Sequence, residues 1–390
     1  MHTSSNEFGS HLKMVTFGES HGPYIGVVLD NVQPGLSIDT AFIQQELNRR
    51  KPGQSSVTTP RNEADSAIIV SGVMNGKTTG TPLCIMIQNQ DQRSKDYGNI
   101  AQLFRPGHAT YTYMQKYGMF DFRGGGRASG RETACRVAAG AIAKLFLKER
   151  GVEIIAYTTQ VGDIVAETTD YTVIEQNIVR CADLQAAQRM IALIESVKEQ
   201  GDSVGGVVEI VVKHCPPGLG EPLYHKLDAD FASALMSLGA IKGFEIGNGF
   251  TSVTLRGSTN NDAYYADDTG RIRTRTNHAG GIVAGISNGE DIVMRIAVKP
   301  VSSISLEQET VDEHGVSHTF KIEGRHDPCI CPRVVPVAEA MIALVLMDHI
   351  LLQERRVSAS EHHGERLATI DREIELLQMY RKQIVQDMKA

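Results

Sequence analysis

Residues 105–133 combine basic side chains with glycine and form the strongest chemical feature of the sequence. Residues 105–131 carry five basic side chains and one acidic one, a local charge of +4 in a chain of net charge −7. Gly124–Gly126 allow backbone conformations with positive φ and a close approach of the chain to a ligand. A helix is predicted directly afterwards, and the free N–H groups at its start favour an anion. The segment therefore predicts a phosphate or carboxylate site.

The common nucleotide-phosphate motifs do not fit this segment. The chain has no GxxxxGK[ST] motif, and Gly124–Gly130 is not a GxGxxG turn behind a strand. We therefore do not expect the phosphates of ATP or a Rossmann dinucleotide here. The segment is not repeated and the net charge is acidic, which argues against nucleic-acid binding through a basic surface.

Two histidines lie in turns that favour acid–base chemistry. His21 is in the turn Gly18–Gly22, and His108 follows the basic start of the Arg105–Thr133 segment. Imidazole titrates near neutral pH and suits proton delivery. Because glycine, serine and basic residues flank both histidines, we interpret them as candidate catalytic groups.

A third cluster, Gly324–Arg333, contains His326, Asp327 and two cysteines. A Cys-x-Cys pair without a second pair is poor for structural zinc, so no metal is predicted. Asp327 is interpreted as an ionised proton acceptor. The alternative is a structural role, in which Asp327 pairs with Arg325 or caps the helix that follows.

Composition and charge indicate a soluble globular protein without a membrane span. The chain has 390 residues, 41% of them hydrophobic, and six dispersed cysteines. The cysteines form no disulfide framework, and the first residues do not have the pattern of a secretory signal. We therefore expect a reduced, cytoplasmic protein that binds neither membranes nor nucleic acid.

The predicted elements favour an α+β fold. Strands are predicted at 13–17, 25–29, 204–212, 244–256 and 292–298, and buried helices at 132–150 and 333–352. Strands and helices do not alternate strictly, so a doubly wound parallel sheet is not expected. Apolar residues between 365 and 389 follow a helical stripe, which predicts an appended amphipathic helix. We divide the chain into one domain at 1–360 and this helix at 361–390.

Three segments together resemble the signature regions of the chorismate synthase family. They are Gly18–Gly22, Arg105–Thr133 and Arg325–Cys329. Further matches lie at Leu47–Arg50, Gly243–Phe250, Asn277–Ile282 and Lys299–Ile304, in the order of the family. The resemblance extends from about residue 8 to about residue 355.

The resemblance implies a single-domain β-α-β sandwich, with helices between antiparallel sheets, that assembles as a homotetramer. It implies a carbon–oxygen lyase that removes phosphate and a C6 hydrogen from 5-enolpyruvylshikimate 3-phosphate by anti-1,4-elimination. The product is chorismate, at the last step of the shikimate pathway. The family requires reduced FMN although the reaction has no net redox change.

Cofactor and substrate residues follow from the resemblance by position. The implied FMN contacts are Arg127, Ala128, Ser129, Gly239, Ala240, Ala284, Lys299, Pro300, Val301, Ser302, Ser303 and Arg325. Residues implied for the substrate or for NADPH are Ser20, Arg49, Arg50, Arg61, Arg105, Arg123 and Arg131. Alanine stands at 284, where the family often has glycine, and Ser55 and Ser56 replace an arginine associated with nicotinamide contact.

The resemblance also implies the catalytic roles. His21 protonates the departing phosphate, His108 maintains the charge state of the flavin, and Asp327 relays the proton received at flavin N5. The source of the electrons stays open between NADPH and an external reductant. Two alternative functions also stay open at this point: another FMN-dependent oxidoreductase and a non-enzymatic polyanion-binding protein.

Overall fold

The computed structural model describes residues 6–55, 57–59, 63–91, 102–322 and 326–387. The strands are β1 (Glu7–Phe8), β2 (Lys13–Phe17), β3 (Tyr24–Asp30), β4 (Ala67–Ser71), β5 (Val73–Met74), β6 (Lys77–Thr78), β7 (Leu83–Gln88), β8 (Glu153–Val161), β9 (Ile164–Val165), β10 (Gly206–Lys213), β11 (Ile241–Ile246), β12 (Tyr264–Ala266), β13 (Ile272–Thr274), β14 (Ile282–Val283), β15 (Ile286–Ser287), β16 (Ile292–Val298), β17 (Glu307–Val311) and β18 (Ser317–Lys321). The helices are α1 (Thr40–Arg50), α2 (Thr110–Tyr117), α3 (Thr133–Lys148), α4 (Leu184–Glu199), α5 (Leu227–Met236), α6 (Gly257–Asn260) and α7 (Cys331–Asp387).

Two five-stranded sheets form the outer layers. The first has the order β1-β2-β3-β7-β4 and the second β11-β16-β10-β8-β9. Every pairing in both sheets is antiparallel. The apolar side chains of Ile25, Val27 and Leu29 alternate inward along β3, as expected for a sheet with one buried face.

Helices fill the space between the two sheets. Helix α3 packs on β2, β3 and β7 of the first sheet, and α7 packs on β8 and β10 of the second. The two helices touch at Gly140, where an added Cβ would lie 2.3 Å from the Cβ of Ala340. The predicted α+β sandwich, with helices between antiparallel sheets, is therefore confirmed.

Helix α1 carries two of the candidate arginines to the interior. Asp39 caps its start by accepting hydrogen bonds from the N–H groups of Ala41 and Phe42. Arg49 and Arg50 lie in the last turn, before Pro52 and Gly53. This helix fixes the position of Arg50, whose side chain is almost fully buried.

The segment before Thr133 contains α2 and a 3₁₀ turn at Arg123–Ala128. Two expectations about elements need correction. The strand expected at 244–256 ends at Ile246, and a 3₁₀ turn follows at Gly249–Thr254. The two C-terminal helices expected at 333–352 and 365–389 are one continuous helix, α7.

The first part of α7 is unusually apolar. Cys331–Arg356 is long and hydrophobic enough to cross a bilayer, which the sequence analysis did not anticipate. Its apolar window is wholly buried inside the fold, as in the core helix of a sandwich. The core residues of the helix end at Leu351.

Candidate functional site

A cavity of about 590 Å³ opens between the glycine-rich segment, α1 and the start of α7. This volume lies within the range of small-molecule and cofactor sites, roughly 300–1,000 Å³. All three candidate catalytic residues line it: His21, His108 and Asp327. The lining also includes the candidate binding residues Arg50, Arg105, Ala128, Ser129, Arg131, Gly239, Ala240, Lys299, Val301, Ser302 and Ser303.

The cavity is strongly cationic. Its described lining contains six cationic side chains: Arg50, Arg105, Arg131, Lys242, Lys299 and Arg333. Only two carboxylates, Asp91 and Asp327, lie among them. In a chain of net charge −7, this concentration of positive charge favours a ligand with several negative charges.

The triple glycine is packed against the two histidines. An added Cβ at Gly124 (φ 62°) would lie 2.6 Å from the His21 ring. The equivalent atom at Gly125 (φ 84°) would lie 3.1 Å from the His108 ring. Sequence analysis had assigned the glycines to close approach of a ligand. The structure shows that they also make room for the imidazoles, so a side chain here would displace a candidate catalytic group.

We call His108, Arg105, Lys299 and His326 the histidine pocket. Nη2 of Arg105 lies 3.1 Å from both ring nitrogens of His108. Burial, together with the positive charges of Arg105 and Lys299, lowers the pKa of His108 to about 3. Burial and Arg105 also lower the pKa of His326, whose Nε2 is buried and has no hydrogen-bond partner among the described residues. These surroundings therefore favour the neutral form of the His108 imidazole at neutral pH.

We call Arg50, Arg131, Asp65 and Glu63 the anchor pocket. Nη2 of Arg50 donates to Oδ2 of Asp65 at 2.6 Å, and Nη1 of Arg131 donates to the other carboxylate oxygen. Burial alone would raise the pKa of Asp65, but Arg50 and Arg131 hold it below its usual value. Burial lowers the pKa of Arg50 to about 10, against the opposing effect of Asp65. The two arginines are thus fixed by a shared carboxylate.

Asp327 is held at both carboxylate oxygens. The backbone N–H of Thr59 donates to Oδ1 at 2.9 Å, and Nη1 of Arg333 donates to Oδ2 at 2.5 Å. Two further acceptor positions of the carboxylate remain for a proton or a ligand. The alternative pairing with Arg325 involves a residue outside the described part of the chain.

Two loops form the side of the cavity assigned to FMN. The N–H of Lys299 donates to the carbonyl of Ala240 at 2.9 Å, which joins the 239–240 and 299–303 segments. An added Cβ at Gly107 would lie 3.0 Å from Ser302, so the loop before His108 packs on the second segment. Gly239 faces open space. Backbone and small side chains of these two segments therefore form part of the cavity wall.

Several expected site residues lie outside the lining. Arg127 is one of them: its Nη2 donates to the carbonyl of Thr16 at 2.8 Å, and its buried Nη1 has no hydrogen-bond partner in the part of the chain that the structure describes. Ser20 is buried behind Gly124, and Arg123 is half-exposed and paired with Asp121. Pro300 lies beside lining residues, and Ala284 lies exposed in the β14–β15 turn. Arg61 and Arg325 lie outside the described residues.

Arg49 faces away from the cavity. Its guanidinium bonds to Glu339 at 2.6 Å and also contacts Glu46 and Glu175. Neighbouring positions on a helix point in different directions, so Arg50 enters the cavity while Arg49 enters this carboxylate cluster. The expectation that Arg49 holds the substrate therefore finds no support in the geometry.

Sequence reasoning missed several lining residues. Arg333 and His326 lie in the 324–333 cluster, but no local pattern in the sequence assigns either of them a role. Lys242 lies in a strand and carried no motif. Asp65, which lies outside the lining and binds Arg50 and Arg131, has φ 49°, uncommon for a non-glycine residue, but a backbone angle is not visible in the sequence.

Comparison with known proteins identifies the family. A family model described as chorismate synthase matches residues 12–351. A chorismate synthase of Synechococcus elongatus is 54% identical over 358 residues, covering 90% of this chain and 99% of its own. A chorismate synthase of Cytophaga hutchinsonii is 51% identical over 352 residues, covering 89% and 98%.

A solved structure supports the same assignment. A crystal structure of a chorismate synthase superposes with a TM-score of 0.72 at 29% identity. It covers 91% of this chain and 99% of that protein. With the matches in sequence over nearly the whole chain, the conclusion is direct: the chain belongs to the chorismate synthase family.

Proposed function

We propose that the chain converts 5-enolpyruvylshikimate 3-phosphate to chorismate and phosphate by anti-1,4-elimination, with reduced FMN bound. The observation that carries the proposal is the cavity, whose described lining brings six cationic side chains together with His21, His108 and Asp327. The substrate carries one phosphate and two carboxylates, which this charge complements. Family membership over residues 12–351 favours this lyase over an FMN oxidoreductase or a polyanion-binding protein.

The residues present fit FMN. The lining loops 239–240 and 299–303 provide backbone and small side chains, and Arg127 has a buried nitrogen available for a further acceptor. We propose that FMN is held by these loops with Arg127, Ala128, Ser129 and Arg325. When bound, reduced FMN supplies electron density to the allylic system of the substrate. Ala284 is not part of this lining within one subunit.

We propose the following roles for the side chains that line the cavity. Arg50 and Arg131 bind the anionic groups of the substrate. His21 gives a proton from its imidazole to the phosphate oxygen that leaves C3. Asp327 takes up the proton that the substrate loses from C6, on a carboxylate oxygen. Anions bound beside His108 would offset the positive charges of Arg105 and Lys299 and so raise its lowered pKa.

Anaerobic phosphate release from the synthetic substrate tests the proposal. We expect turnover with pre-reduced FMN, none with oxidised FMN, and no effect of a metal chelator. An oxidoreductase would oxidise NADPH without consuming the substrate. A polyanion-binding protein would bind nucleic acid with a strong salt dependence and release no phosphate. Either result would contradict the proposed function.

The source of the electrons is a separate question. Arg50 matches a family position associated with nicotinamide contact, but Arg50 is fixed on Asp65 and its usual companion is replaced by serine. Anaerobic mixing of the FMN-bound protein with NADPH decides between the two sources. Bleaching of the flavin absorbance shows that the chain reduces its own flavin, and unchanged absorbance shows that it needs an external reductant.

We propose that the protein is a cytoplasmic homotetramer and that 1–360 is its enzymatic domain. The outer face of the first sheet supports assembly, because Val15, Phe17, Ile68 and Val70 are exposed on it. Light scattering of the purified protein measures the subunit number. Truncation after residue 360 removes the helix beyond the family match, and we expect full turnover from the remainder.

A further inference from the structure

Arg333 connects three parts of the cavity. It lies in the first turn of α7 and lines the cavity beside Asp327 and Arg50. Nη1 donates to Oδ2 of Asp327 at 2.5 Å, and Nε donates to the backbone carbonyl of Arg50 at 3.2 Å. Its side chain is only 17% exposed, and that of Asp327 11%. A single guanidinium therefore links α7, the Asp327 loop and the end of α1.

The geometry fixes the direction of the Asp327 carboxylate. Arg333 and the Thr59 N–H hold one oxygen each, so rotation of the carboxylate would break a charge-assisted hydrogen bond. The planar guanidinium of arginine donates to two acceptors at once, whereas the single ammonium group of lysine does not reproduce this geometry. Because the second acceptor is the carbonyl of Arg50, the guanidinium also sets the distance from Asp327 to the end of α1.

We propose that Arg333 is a positioning residue for Asp327: it orients the proton-accepting carboxylate and ties it to the element that carries Arg50. This inference rests on the proposed function and extends it to a residue for which neither the motifs nor the family resemblance gave a role. Arg333 acts through Asp327, so its loss lowers the rate of the bound complex and changes substrate affinity little.

The kinetic test uses Arg333→Gln, Asp327→Asn and the double variant, all with pre-reduced FMN. We expect Arg333→Gln to lower kcat at least about tenfold, part of the ~10²–10⁴ range for a proton-transfer group, with KM within about threefold. The double variant should be no slower than Asp327→Asn alone, because the two residues act as one unit. A rise in KM with unchanged kcat would show direct substrate binding, and multiplicative losses would show independent roles. Either result overturns the inference.

The matched control is Arg273→Gln. Arg273 also pairs with a carboxylate, with Nη2 2.7 Å from Glu290, but it lies outside the cavity lining. Wild-type kcat and KM are expected. If Arg333→Gln does not fold, Arg333→Lys tests the inference instead. Lysine keeps the positive charge but lacks the planar guanidinium that reaches two acceptors. A folded Arg333→Lys protein should retain KM and lose kcat several-fold, and wild-type kcat would overturn the inference.

A flavin-free measurement separates this inference from the proposed function. Denaturant unfolding of wild type, both single variants and the double variant forms a double-mutant cycle. Non-additive losses in the free energy of unfolding are expected if the ion pair forms, and additive losses overturn the inference. Failure of the wild-type protein to release phosphate would instead overturn the proposed function, whatever the cycle shows.

Discussion

The histidine pocket and the anchor pocket face one cavity but handle buried charge in opposite ways. In the anchor pocket, Arg50 and Arg131 share the carboxylate of Asp65, which stays ionised against the effect of burial. In the histidine pocket, burial and positive neighbours lower the pKa of His108 to about 3. The first pocket pairs its charges internally, whereas the second disfavours protonation of its imidazole, an effect that a bound anion would reduce.

This difference suggests a division between holding the substrate, which falls to the anchor pocket, and reacting with it, which falls to the histidine pocket. A buried ion pair adds little net stability, because the desolvation of its charges offsets their attraction, but it holds its groups in a fixed geometry, which suits recognition of charged groups. A base whose protonation depends on a bound anion can respond to the ligand, which suits proton transfer. Substitutions in the anchor pocket should therefore change affinity, and substitutions at the histidines should change the rate.

The largest expected effect is on the histidines. His21→Ala and His108→Ala should each lower kcat about 10²–10⁴-fold, the range for loss of one proton-transfer group. Substrate and FMN affinity should change little, because the anchor pocket and the flavin loops are intact. Single-turnover phosphate release with pre-reduced FMN measures the rate. His314→Ala, an exposed histidine outside the cavity lining, is the control. Near-wild-type kcat at all pH values would contradict the acid–base role of that histidine.

The next largest effect is expected for Arg131→Ala, on substrate affinity and on the free energy of unfolding. Arg131→Ala removes a charge-assisted contact worth about 1.5–3 kcal/mol, so substrate affinity should fall roughly 10–150-fold. The variant also leaves Asp65 with only the guanidinium of Arg50, which should lower the free energy of unfolding by less than the roughly 3–5 kcal/mol typical of a buried charge left wholly unpaired. Calorimetric titration with substrate and denaturant unfolding measure the two losses.

Arg180→Ala is the control for Arg131. Arg180 is similarly buried and pairs with Glu175, but it does not line the cavity. We expect it to lose stability and keep substrate affinity. Unchanged affinity in Arg131→Ala would remove the anchor pocket from substrate binding.

Gly124 should have a smaller effect and should act through His21. Gly124→Ala places a Cβ 2.6 Å from the His21 ring and puts alanine at φ 62°. We expect a loss of about tenfold in kcat, because displacement of a catalytic group by a fraction of an ångström is costly. Gly315→Ala meets the same backbone strain at φ 78° with nothing within 4 Å. If both variants kept wild-type kcat, the contact with His21 would not matter for the reaction.

Much of the fold was readable from local patterns. The strand at 292–298 and the capping of α1 by Asp39 follow from alternation and from cap chemistry, which act over a few residues. The glycine run and both histidines were found because their types and neighbours are unusual. In contrast, the partner of Arg49 is Glu339, 290 positions away in the chain, and no local rule connects them. The same holds for Asp65, whose role depends on Arg50 and Arg131 approaching from two different elements.

The smallest effect is expected for ligand-free protein on changing pH. With a pKa of about 3, against 6.5 for the unfolded chain, His108 should stay neutral between pH 5 and 8. Between about pH 3 and 6.5 the unfolded chain binds more protons at this site than the folded one. The contribution of His108 to the free energy of unfolding therefore rises with pH in that window and is level above it.

Imidazole chemical shifts in histidine-labelled protein, assigned with His108→Gln, test the charge state directly. Without substrate, we expect His108 not to titrate between pH 5 and 8. Addition of substrate should raise the pKa of His108, because the negative charge of the substrate offsets the positive charges of Arg105 and Lys299. The anchor pocket supplies the contrast, because Arg50 and Arg131 keep their partner in both states. Titration of His108 near pH 6.5 without ligand would show that the two pockets do not differ in this way, and the division between holding and reacting would fail.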